Sequence, residues 1–177
     1  MRKVILILIL AFLTLGVLVG CGGSDPDELK DIATKENVWL EQLQPIASNI
    51  TNSYEKWEAG ELSREQLANE LAKNIEEVQD LRSQSDQYYL NEIELTEEIK
   101  KHPDYDQGLY YGQSLRLNVY TFLIAATQGY QVAPSDTLKN KEPVTDQELK
   151  STFDTEMVTG YERKVDKLKT ALGNQLN

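Results

Sequence analysis

The sequence predicts an all-α protein, an up-and-down antiparallel bundle of four helices, on three observations. Apolar residues recur at spacings of three and four through four long stretches, and helix start and stop signals fall between those stretches. No segment alternates apolar and polar residues for long enough to make a sheet, and no internal repeat is present.

The first stretch carries Leu29, Ile32, Trp39, Leu43, Ile46, Ile50, Tyr54 and Trp57, a series close to a heptad in which Glu36 takes a place expected to be apolar. Pro45 lacks an amide donor and clashes with the turn before it, which predicts a kink or short break, and Gly60 marks the end of the helix. Ser63-Arg64-Glu65-Gln66 matches a capping box and opens the second stretch, whose seam is Leu67, Leu71, Ile75, Val78 and Leu81, then Tyr88 or Tyr89, Ile93 and Ile99. Uninterrupted, that helix would extend about 57 Å, so a bend is expected at the polar Ser83-Gln84-Ser85-Asp86. Lys100, Lys101 and Pro103 end it, the cations matching the negative pole.

The third stretch, from about Tyr105 to Tyr130, is the most apolar and is expected to be buried on most faces. A long connection with Pro134 and Pro143 follows. Thr145-Asp146-Gln147-Glu148 is another capping box, opening a fourth helix with the seam Leu149, Phe153, Met157, Tyr161, Val165, Leu168 and Leu172.

Ahead of the bundle, Arg2 and Lys3 precede an apolar run, Val4 to Val19, that ends at Gly20 and Cys21, the single cysteine of the chain. As a helix the run would rise about 24 Å, short of the roughly 20 apolar residues that a bilayer core requires, so a signal peptide is favoured over a permanent span. Leu18-Val19-Gly20-Cys21 resembles the lipobox of bacterial lipoproteins. The resemblance covers residues 1 to 21 and implies cleavage between Gly20 and Cys21, with a diacylglyceryl group on the Cys21 sulfur. Two acyl chains are enough to hold a soluble domain on a membrane. The expected organisation is a signal peptide over residues 1–20, a lipidated cysteine and flexible tether over 21–27, and one helical domain over 28–177. The expected location is the extracytoplasmic face of the cell membrane.

Removal of the signal peptide leaves 157 residues, with 16 Lys and Arg against 29 Asp and Glu, a formal charge of −13. Such a surface repels nucleic acid and anionic headgroups, so no nucleic-acid partner is expected and the lipid alone must anchor the domain. The tether, Cys21 to about Pro26 and rich in Gly, Ser and Asp, reaches only on the order of 15 Å, which keeps the domain close to the membrane.

Catalytic signals are sparse. His102 is the single histidine, which removes Ser-His-Asp and Cys-His arrangements, and Gly108 and Gly112 belong to a helical segment rather than to a phosphate loop. Glu94, Glu98 and His102 would share a face on a continuous helix, but the paired Glu-x-x-His pattern of carboxylate bundles is absent, and a solvated helix end is the better reading. No enzyme activity, metal or cofactor beyond the lipid on Cys21 is expected. Tyr105, Tyr110 and Tyr111 form a weak candidate binding surface, set against their use as bundle-rim residues. The sequence therefore predicts a lipid-anchored, non-enzymatic module that binds an envelope protein or wall glycan. Its alternatives are a scaffold self-associating through the near-heptad first helix and a metal- or small-ligand-binding bundle.

Overall fold

The computed structural model describes residues 26–177, so the expected signal peptide, the Leu18-Val19-Gly20-Cys21 box and most of the tether lie outside the described residues. Helix α1 (Pro26–Glu58) carries the first apolar series, and all eight of its predicted seam residues are buried. With Glu36 counted between Ile32 and Trp39, every step is three or four, close to the natural repeat of an α-helix, so the seam keeps to one side. The helix runs unbroken through Pro45, which corrects the expectation of a break. Pro45 is exposed, and the carbonyl that loses its donor one turn earlier belongs to the exposed Glu41, where water can replace the missing bond. Gly60, at φ +79°, turns the chain out of the helix in a conformation that a side chain would strain.

The capping box at Ser63 forms as predicted. Gln66 N–H donates to Ser63 Oγ at 3.2 Å and Ser63 N–H donates to Gln66 Oε1 at 2.8 Å, opening α2 (Arg64–Ala72). The helix does not continue to Lys101. It parts at Lys73 and Asn74, resumes as α3 (Ile75–Gln87), widens into a π-helical turn (Tyr88–Glu92), and becomes extended at Ile93 before the short α4 (Glu97–Lys101). The helix is not broken at Ser83 to Asp86, and Ser85 faces inward, buried as a partner of Arg116.

A π-helical turn (Tyr105–Leu109) leads into α5 (Tyr111–Thr127). Leu115, Val119, Phe122, Leu123 and Ala126 are buried, whereas Leu117 is 47% exposed, so one side of α5 faces out. After the connection, which holds the single-turn α6 (Asp136–Lys139), the Thr145 box opens α7 (Asp146–Phe153). That helix continues through a π-helical stretch (Asp154–Glu162) into α8 (Arg163–Leu176). All seven predicted seam residues of this pass are buried.

Cross-contacts fix the directions. Ser53 bonds Glu70 while Asp31 bonds Tyr88, so α1 runs antiparallel to α2 and α3. Arg82 meets Tyr120 while Ser85 meets Arg116, so α5 runs antiparallel to α3. Phe122 meets Phe153 while Gly108 lies against Ala171, which sets the last pass antiparallel to α5. The bundle is all-α and up-and-down, as predicted, but its four passes are not four unbroken helices. Among the described residues there is no strand, and no helix is long and apolar enough to cross a membrane.

Candidate functional site

The site begins with a misfit in the pattern. Glu36 occupies a seam position of α1 and is fully buried, so its charge must be paired inside the bundle. Its partner is Arg116 on the inner face of α5, itself 2% exposed. Arg116 Nη1 donates to Glu36 Oε2 at 2.7 Å and Nη2 donates to Oε1 at 2.9 Å, a two-pronged pair. Arg116 Nη2 also donates to Ser85 Oγ at 2.6 Å, and the Tyr89 hydroxyl donates to Glu36 Oε1 at 2.9 Å. The Trp39 ring lies 4.8 Å from the guanidinium.

Gly112, one turn before Arg116, makes the arrangement sterically feasible: a Cβ there would overlap the Glu36 carboxylate. Burial, and then the Glu36 charge, pushes the Tyr89 hydroxyl far above the usual tyrosine range, so it remains a donor. Tyr88 is raised as well, by burial and by its 2.7 Å bond to Asp31. One group is left over. Arg116 Nε is buried with no hydrogen-bond partner.

Outward from this pair, between α3 and α5, lies an open recess of about 290 Å³. Arg116 and Ser85 are the buried residues of its lining. Its walls are Arg82 and Asp86 from α3, with Gln113 and Ser114 from α5. At the rim stand Tyr110, 57% exposed, and Leu117, two of the few large apolar side chains that the described residues expose. Arg82 stacks on Tyr120 at 4.6 Å and has no carboxylate partner among the described residues. Asp86 and Gln113 also lack protein partners there, and the Ser85 hydroxyl accepts from Arg116 without donating to a described group. The recess therefore offers unused donors and acceptors beside an exposed aromatic ring, a combination suited to ligand binding.

A second cavity, of about 400 Å³, lies where α8 meets the turn at Tyr105–Leu109. Apart from the exposed Gln107, its polar side chains are already engaged within the fold. Asn174 and Gln175 donate to the two oxygens of Asp104 at 2.7 and 2.6 Å, and Lys167 lies over the Tyr111 ring at 5.2 Å. Burial pushes the Asp104 carboxyl up, but those two bonds and nearby His102 outweigh it and hold the group below its usual range. This cavity is a docking seam of the fold.

The three predicted tyrosines are neighbours, with Tyr110 6.3 Å from Tyr105 and 6.1 Å from Tyr111, yet they do not form one surface. Tyr105 is buried and Tyr111 lies beneath Lys164 and Lys167, which leaves Tyr110 presented to solvent. Glu94, Glu98 and His102 do not share a helix face. Glu94 lies in the extended link before α4, and His102 follows the helix with its Nδ1 accepting from the Asp104 amide at 3.3 Å. Among the described residues, no group of three or more His, Cys, Asp or Glu side chains could hold a metal ion. Gly20 and Cys21 lie outside the described residues.

Arg116, Arg82, Gln113 and Leu117 are not among the residues that the sequence motifs single out, and Ser85 and Asp86 enter there only as part of an expected bend. A signal for the first was present: a lone arginine in the most apolar segment, answering a lone glutamate in an apolar seam. No protein-family model matches the chain, and neither a curated protein nor a solved structure matches it.

Proposed function

We propose that this protein is a lipid-anchored module of the bacterial cell envelope, held on the extracytoplasmic face through Cys21, that binds an envelope component and is not an enzyme. The anchoring rests on one observation: the lone cysteine follows a basic start and a sixteen-residue apolar run within Leu18-Val19-Gly20-Cys21. Binding is supported by the recess above Arg116, with its unused polar groups and exposed Tyr110. Self-assembly through the α1 seam is the weaker reading, because Leu29, Leu43, Ile50 and the rest of that seam are buried within the same chain. A second copy could use the seam only by opening the bundle.

The test of anchoring is mass spectrometry of the native protein alongside a Cys21→Ser variant. A peptide beginning at Cys21 and carrying a diacylglyceryl mass, absent in the variant, is the expected result; an intact Val4 to Val19 segment or a free Cys21 thiol would overturn it. Crosslinking from position 110 in the cell tests the binding reading. Capture of an envelope component is expected, and a chain crosslinked solely to itself would favour the scaffold.

A further inference from the structure

We propose that the recess between α3 and α5 binds a single ring of an uncharged carbohydrate, a refinement that rests on the envelope-binding function above. Charge gives the first argument. Arg116 is neutralised by Glu36, and Arg82 is balanced by Asp86 one turn along the same helix, so the recess is formally neutral within a strongly acidic protein. A ligand with net negative charge would meet repulsion from the surrounding acidic field, and one with net positive charge would find the single lining carboxylate, Asp86, already offset by Arg82.

Hydrogen-bonding chemistry gives the second argument. Arg82, Asp86 and Gln113 each end in a planar fork, and a planar fork matches a pair of adjacent hydroxyls because it can make two parallel bonds. Arg82 supplies donors, Asp86 supplies acceptors and Gln113 supplies both. The Ser85 hydroxyl retains its own proton for an acceptor at depth. A sugar ring carries donors and acceptors on neighbouring carbons and no net charge, so it uses all of these groups together.

Shape gives the third argument. The Tyr110 ring and Leu117 offer a small apolar platform at the rim, and a pyranose has a face of C–H groups that packs on an aromatic ring while its hydroxyls point sideways. About 290 Å³ lies at the small end of ligand cavities, which run to about 300–1,000 Å³. That admits one ring of a chain, with its neighbours leaving through the open mouth. An extended peptide would instead need a sheet edge or a longer apolar groove.

The test is amide chemical-shift mapping on the full chain in detergent micelles, titrated separately with chitotetraose and with trialanine. Chitotetraose is expected to give saturable shifts at Ser85, Asp86, Gln113 and Ser114. Tyr110→Ala and Asp86→Asn, at exposed positions outside the core, should each weaken binding about tenfold with unchanged dispersion of the spectrum. Gln107→Ala, which lines the second cavity, should leave the affinity unchanged. Shifts with trialanine but not chitotetraose, an absence of saturable shifts at the recess, or affinity indifferent to both recess variants would overturn the proposal. The other reading fails separately. Capture of an envelope protein in the cell by a chain blind to chitotetraose would remove the sugar and keep the binding module, and an unlipidated Cys21 would remove the anchor without touching the titration.

Discussion

The two ends of this bundle are built from the same helices on opposite principles. At one end Tyr54 of α1 stacks on Phe153, with ring centroids 3.7 Å apart and planes within 2°, while Phe122 of α5 meets both rings edge-on. At the other end, about five turns back along α1, the same helix pair closes over Glu36 and Arg116, and the surface above them opens into a recess. Aromatic stacking buries large areas at little polar cost, whereas a buried ion pair gains little over apolar packing once desolvation is counted. The difference teaches where the chain spends its stability. The aromatic end holds the bundle closed, and the charged end sustains a polar surface.

The sharpest break of this contrast is removal of one member from each end. Phe153→Ala deletes the centre of the aromatic stack and should destabilise by about 3–5 kcal/mol. Glu36→Ala leaves the Arg116 charge buried and unpaired and should cost a similar amount, about 3–5 kcal/mol. Urea unfolding followed by Trp39 and Trp57 fluorescence measures both. If Glu36→Ala is nearly silent, the charge at Arg116 has found water, and the buried-pair description fails.

Alkali should weaken both ends. Burial, aided by Glu58 and Asp154, pushes Tyr54 up to about 12, and burial with Glu162 pushes Tyr161 up to about 12; Tyr88 and Tyr89 are raised as well. A raised folded value means that the unfolded chain, titrating near pH 10, loses its protons first. Stability contributed by these hydroxyls is therefore complete below pH 10 and is lost as pH rises through the folded values. Urea midpoints from pH 8 to 12 should hold level and then fall, and Tyr54→Phe should make the fall shallower. A midpoint that stays flat to pH 12 would deny the burial of these hydroxyls.

Smaller effects separate the site from the scaffold. Tyr89→Phe removes the neutral donor to Glu36 and should cost about 1–3 kcal/mol. Tyr110→Ala should change stability by no more than about 0.5 kcal/mol, because the ring is 57% exposed and only its edge of the bundle would be affected. Thermal unfolding of the two variants side by side is sufficient. A large loss in Tyr110→Ala would mean that the ring belongs to the fold rather than to a binding surface.

Much of the scaffold was legible in the sequence because its signals are local. Spacings of three and four put Leu29 to Trp57 and Leu149 to Leu172 inside, and the boxes at Ser63 and Thr145 mark helix starts that form as written. The π-helical stretches were less visible, although the last pass carries a trace of one. From Leu149 to Val165 every seam step is four, and on an α-helix each such step over-rotates by about 40°, which would carry the seam toward the opposite face. Bonds closing to the fifth residue widen the turn and absorb that excess, so Met157 and Tyr161 stay inside. The candidate site was mostly illegible. Glu36 stands out as polar in an apolar seam, but its partner lies 80 residues away, and no local pattern specifies which distant base will meet a buried acid. The recess is a product of that meeting together with the exposure of Tyr110 and Leu117, and it exists only once α3 and α5 are packed.

The contrast between the two ends is tested most directly by replacing the whole ion pair with Glu36→Met and Arg116→Met together, and measuring unfolding free energy and chitotetraose affinity on the same protein. If the pair serves the recess rather than the fold, the double variant should recover most of the loss seen in Glu36→Ala, lying within about 1 kcal/mol of the wild type, while its affinity for the sugar falls at least about tenfold. A double variant as unstable as the single one, or one that binds chitotetraose as tightly as the wild type, would contradict the account.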